Sequence, residues 1–123
     1  MKEGIHMRKL YVTRKRALAC FGLAYHCILG KSKEEHLSWV EEQSRQVLMQ
    51  SHGPTAIRNG ETLCLELGEG QSSLFVIAYL EQRNLMTQII PIPAGDKDLW
   101  VSVITEFDGN RRISMKLIPG GTE

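Results

Sequence analysis

The stretch Ser73 to Leu80 is apolar on both of its alternating faces, with Leu74, Val76, Ala78 and Leu80 on one side and Phe75, Ile77 and Tyr79 on the other. A strand sends successive side chains to opposite sides, so a strand of this composition has to be covered twice. The rest of the chain offers two kinds of cover. One is further strand sequence, and the other is a single amphipathic segment. Ser32 followed by Glu35 fits a capping box, and Leu37, Val40, Ser44, Val47 and Leu48 recur at three- and four-residue steps. Glu34, Glu41, Glu42 and Arg45 fall mostly on the opposite side. The pattern predicts a helix over residues 33–50, ended by His52-Gly53-Pro54, whose apolar stripe has to lie on a sheet face because nothing else large is present.

The remaining segments read as strands. Leu10 to Thr13 is short and β-rich, and Arg14-Lys15-Arg16 connects it to Ala19 to Leu29. In that second segment Phe21, Leu23, Tyr25, Cys27 and Leu29 form a large-residue face, while Cys20, Gly22, Ala24, His26 and Ile28 form a smaller one suited to close approach of another layer. Thr55 to Ile57, the Asn59-Gly60 turn signal and the alternating Leu63, Leu65 and Leu67 predict a hairpin. Gly68-Glu69-Gly70 leads into Ser73 to Leu80. A strand follows from Leu85 to Ile92, closed by Pro91 and Pro93, and Asp108-Gly109-Asn110 joins Leu99 to Phe107 with Ile113 to Ile118. The expectation is a mainly β chain: a two-layer antiparallel β-sandwich of about seven or eight strands with one inserted amphipathic α-helix.

At 123 residues and 42% hydrophobic content, the chain is expected to close one core over 1–123 as a single domain. Fifteen basic against fourteen acidic residues leave a charge of +1, which supplies no broad positive field for nucleic acid or an anionic membrane, and neither partner is expected. Three cysteines, an odd number, argue against a disulfide framework and for a cytoplasmic address. The basic residues from Arg8 to Arg16 before the apolar run Ala17 to Gly30 imitate a secretory leader. That run is too short to span a bilayer, contains Tyr25 and His26, and has no small-residue cleavage pattern after Leu29, so it reads as a buried strand. Met1 to His6 precede a second methionine and are set aside from the fold reading.

No chemistry-bearing motif stands out. Cys20, His26, Cys27, His36, His52 and Cys64 are donors without a C-x-x-C or H-x-x-x-H spacing, and the neighbours His26 and Cys27 point to opposite sides of a strand, so no metal or other cofactor is expected. The cysteines lack a strained elbow or glycine-rich oxyanion element. The glycines lie between strands rather than at a helix start. The paired acids Glu34-Glu35 and Glu41-Glu42 belong to a solvated helix face, and Asp96 and Asp98 to a loop tip.

Two placements of aromatic residues are more informative. Trp39 sits beside the apolar stripe near its charged border, and Trp100 alternates with Val101 on a late strand. Together with the Phe75, Ile77 and Tyr79 face, which one helix covers only in part, they form a candidate interface for a protein partner or a second copy of the chain. The leading expectation is therefore a non-enzymatic binding or assembly module. The alternative is a small-ligand site or enzyme cleft between helix and sheet around Tyr25, His26 and His36.

Three segments carry a resemblance: Leu10 to Arg16; the strand ending Tyr25-His26-Cys27-Ile28-Leu29; and Ile57-Arg58-Asn59-Gly60-Glu61 with Leu63 to Gly70. They resemble small uncharacterised bacterial β-sandwich domains, in which a basic first strand, a Tyr-bearing strand, an Asn-Gly-Glu turn and a short glycine turn follow in order. The chain departs from them by inserting the 33–50 helix where they have a short turn. The resemblance implies a β-sandwich and no catalytic residues.

Overall fold

The computed structural model describes residues 8–17, 23–42, 53–79, 85–107 and 111–118, the side chains of Tyr79, Leu85, Phe107 and Arg111 excepted. Along the described chain run β1 (Lys9–Arg14), β2 (Tyr25–Gly30), α1 (Lys33–Glu42), β3 (Ala56–Ile57), β4 (Thr62–Glu66), β5 (Ser73–Tyr79), β6 (Leu85–Pro91), β7 (Leu99–Phe107) and β8 (Arg111–Leu117). The strands form two four-stranded sheets, ordered β4-β1-β7-β8 and β3-β2-β5-β6. Leu10, Val12, Val101, Val103 and Ile113 of the first sheet share one buried cluster with Tyr25, Cys27, Ile57, Leu74, Val76 and Ala78 of the second. The architecture is the expected β-sandwich with one helix.

Period-two alternation explains which residues entered that core. On β1 the buried positions are Leu10, Val12 and Arg14, with Tyr11 and Thr13 facing away. On β5, Leu74, Val76 and Ala78 point inward, while Phe75 and Ile77 point outward and are buried as a second cluster against Ile28, Ile89, Trp39 and Val40. The double cover demanded by the sequence is thus supplied by a sheet on one side and α1 on the other.

Three local expectations change. The Asn59-Gly60 turn exists, closed by Glu61 N–H to Arg58 O at 3.0 Å and with Gly60 at φ +82°, yet it does not make a hairpin. β3 pairs with β2 and β4 pairs with β1, so the turn carries the chain from one sheet to the other. A turn motif fixes the local reversal, whereas the pairing is decided by which strand edges are free. Second, the sandwich is not wholly antiparallel, because β1 runs parallel to β7 with Leu10 opposite Leu99 and Arg14 opposite Val103. Only tight connections force antiparallel neighbours, and these two strands are far apart in the chain. Third, the strand expected from Ala19 begins at Tyr25 among the described residues, Leu23 lying in a bend.

The helix begins where its cap predicts: Ser32 Oγ accepts Glu35 N–H at 3.1 Å and Ser32 O accepts His36 N–H at 3.2 Å. It is described to Glu42, so Ser44, Arg45, Val47, Leu48 and His52 lie outside the described residues. Its buried arc differs from the expected one. Leu37 is 46% exposed, while Val40 faces the sheet as expected, joined there by His36 and Trp39 from outside the expected stripe. No helix among the described residues is long and apolar enough to cross a membrane.

Candidate functional site

Tyr25, His26 and His36 do not assemble a site. Tyr25 and His26 are consecutive on β2 and so point to opposite sides of its sheet. The Tyr25 ring is inside the sandwich, its hydroxyl 2.5 Å from Thr105 Oγ1 and its face beneath the Arg14 guanidinium, whose carbon is 3.5 Å from the ring centroid. His26 is on the outer side, with Nδ1 2.9 Å from Thr55 Oγ1. His36 shares that side but stands at the other end of β2, over Gly30, Ser73 and Phe75. Since His26 pairs with Ile77 and Gly30 with Ser73, the two histidines are separated by four residues of strand, about 13 Å.

Two cavities among the described residues lie elsewhere. One of about 890 Å³ opens at the end of the sandwich between the 67–72 and 92–96 turns, with Leu67 and Ile92 as an apolar floor and Arg8, Glu69, Gln71 and Asp96 around it. A second, of about 410 Å³, lies among Ala56, Arg58, Glu61 and Leu63. Neither includes any of the three residues. No group of three or more His, Cys, Asp or Glu side chains converges among the described residues.

The candidate interface divides in two. Phe75 and Ile77 are 2% and 0% exposed beneath α1, and Trp39 is half-buried against them. These residues are internal packing between helix and sheet, which corrects the expectation of an open face there. The side chain of Tyr79 is outside those described.

Trp100 is different. It lies on the outer side of the β4-β1-β7-β8 sheet, over which no described helix or strand passes. Its ring stacks on Tyr11, the residue opposite it in the parallel β1–β7 register, with centroids 5.2 Å apart and planes at 17°. Ile104 on the same face of β7 is 37% exposed, and Cys64 on β4, opposite Tyr11, is also exposed. Thr13 and Thr62 hydrogen-bond across this face at 2.9 Å.

Charges of both signs border the aromatic pair. Lys9 is opposite Glu66 in register. Glu106 accepts hydrogen bonds from Ser114 Oγ and, at 3.1 Å, from Arg112 Nε, and these two donors hold its carboxyl below the usual carboxylate range. Tyr11 is the residue that sequence reading left out of the candidate interface. Its signal was available only as an aromatic inside a basic cluster, and its partner stands 89 positions later.

Comparison with protein-family models, with curated proteins and with solved structures gives no match to the chain. The functional reading therefore rests on the fold and its side chains.

Proposed function

We propose that the protein is a non-enzymatic binding and assembly module whose docking surface is the uncovered face of the β4-β1-β7-β8 sheet and whose partner is a second copy of the chain. The observation that carries this reading is the Tyr11–Trp100 stack on a sheet face over which no described helix or strand passes, with exposed Ile104 on the same face. Aromatic side chains held rigid by stacking bring large contact area at little cost in side-chain entropy, which is why they anchor interfaces.

Charge favours a second copy over a strongly charged partner. Lys9, Arg112 and Lys116 share this face with Glu66 and Glu106, so a two-fold rotation can set unlike charges opposite one another. The chain's net charge of +1 adds no long-range repulsion between copies. Four strands about 4.8 Å apart, each roughly 20 Å long, give a footprint of about 400 Å², so a pair buries on the order of 800 Å², the size of a weak, reversible association.

Sedimentation velocity from micromolar to millimolar concentration tests the reading. The wild type is expected to pass reversibly from monomer to dimer, and Ile104→Arg to remain monomeric with an unchanged circular dichroism spectrum. A wild type that stays monomeric at millimolar concentration overturns self-association, and a dimer that persists in Ile104→Arg overturns the choice of face.

A further inference from the structure

We infer that α1 is a pH-sensitive latch, held on β2 and β5 by the neutral ring of His36 and released, uncovering Ile28, Phe75 and Ile77, when that ring takes up a proton. The cap at Ser32 sets the start of the helix and places His36 in its first turn, turned to the sheet. There the ring is 1% exposed and stacks on Phe75, with centroids 5.0 Å apart and planes at 16°.

Its protonation state follows from the hydrogen bonds. Ser73 Oγ lies 3.2 Å from Gly30 O, an atom that can only accept, so the single hydroxyl proton points there. The same Oγ is 2.7 Å from His36 Nε2, and having no second proton to give, it accepts one from the ring. The ring is thus the neutral tautomer with hydrogen on Nε2, assigned from this network. Nδ1 is buried without a hydrogen-bond partner. An unshared lone pair in that position is tolerable. A proton there is costly, because it adds a buried N–H that has no hydrogen-bond partner in this arrangement and a positive charge within the first turn of a helix, where the backbone dipole is already positive.

The charged groups around the ring do not reverse this. On α1 itself, Lys33 and Glu34 are exposed and Glu35 reaches over Gly30, where its Oε1 and the His36 ring crowd the same spot, each 2.7 Å from a Cβ built on that glycine. Lys31, in the preceding loop, lies against Gly70. β2 and β5 face the ring with Gly30, Ser73 and Phe75, none of them charged, and the other histidine on this side of the sheet, His26, is at the far end of β2. Burial outweighs the attraction of Glu35, and the ring is held below the ordinary histidine value of 6.5. Released α1 binds the proton more readily than docked α1, so docking is at full strength above pH 6.5 and weakens as the pH falls below it. Between the pKa values of the released and docked ring, the opening equilibrium grows about tenfold per pH unit.

The test is a titration of the His36 ring by NMR, combined with hydrogen-exchange protection factors for the α1 amides at pH 7.5 and pH 5.0. A ring pKa below 6.5 is expected, with α1 protection falling on acidification while β1 and β7 keep theirs. In His36→Gln, whose amide can donate to Ser73 but cannot titrate, α1 protection is expected to be the same at both pH values. A ring that titrates at or above 6.5 overturns the latch, as does α1 protection unchanged in the wild type or an equal acid loss in His36→Gln. The ring titration uses the wild type alone, so it decides the matter even if the variant fails to fold.

Discussion

Arg14 is a charged side chain with no exposed surface at the end of a core strand. Its Nη1 donates to Leu23 O at 2.5 Å and Ile57 O at 3.0 Å, and its guanidinium carbon lies over the Tyr25 ring. One side chain thereby ties β1 to the bend before β2 and to β3. Replacing a buried charge by a hydrophobe is often neutral, but here the Ile57 carbonyl left behind is buried and the Leu23 carbonyl partly so. Arg14→Met is expected to lower unfolding free energy by about 2–3 kcal/mol in urea titrations. Arg14→Lys is expected to cost more than Met, because it keeps the buried charge and loses both the guanidinium over the ring and the forked donors. The cysteines make a second residue-scale contrast. Burial pushes the Cys27 thiol up to about 12 against the opposing pull of Arg14, whereas Cys64 is exposed on β4. The thiolate is the reactive form. With alkylation at pH 8 followed by peptide mass spectrometry, Cys64 is expected to label in the folded protein and Cys27 only after denaturation.

At the scale of elements, Gly30 shows how closely α1 approaches β2. A Cβ there would stand 2.7 Å from both Glu35 Oε1 and His36 Cε1. The carboxylate can swing away, but the ring is pinned between Phe75 and Ser73. Gly30→Ala is therefore expected to lift the first turn of the helix and to cost about 1–3 kcal/mol, the usual penalty of overpacking, read as a lower urea midpoint with loss of α1 exchange protection. This contact also marks the limit of sequence reading. The cap and the three- and four-residue repeat predicted a helix at the right place, but the stripe drawn through Leu37 was one position away from the buried His36. Hydropathy ranks histidine as polar, and what makes it acceptable inside is Ser73 Oγ, 37 residues away. Asn59-Gly60 teaches the same lesson for strands. The turn chemistry was legible, while the partners of β3 and β4 lay in β2 and β1, where no local signal reaches.

At the scale of the whole molecule, β5 announced in its own composition that it would be covered on both faces, and the sandwich core and α1 cover it. The uncovered face was illegible for the opposite reason: Tyr11 and Trp100 become neighbours only through the long-range parallel pairing of β1 with β7. That pairing also puts β1 in the interior of its sheet, between β4 and β7, with Leu10 packed in the cluster that both sheets share. The larger cluster is shared by both sheets, and the smaller one under α1 holds only Phe75 and Ile77 as fully buried residues, so unfolding at neutral pH is expected to be a single transition. The two tryptophans report it from opposite layers, Trp39 from the helix on one sheet and Trp100 from the outer face of the other. Single-tryptophan proteins made by Trp100→Phe and Trp39→Phe are expected to give coincident urea midpoints at pH 7.5. Adding Leu10→Ala should shift both midpoints together, by a loss of about 2–4 kcal/mol. At pH 5.0, where the latch is weakened, the Trp39 signal is expected to change before that of Trp100. Separate midpoints at neutral pH would mean that the sheets unfold independently, and a Leu10→Ala shift confined to Trp100 would place that independence at the shared core.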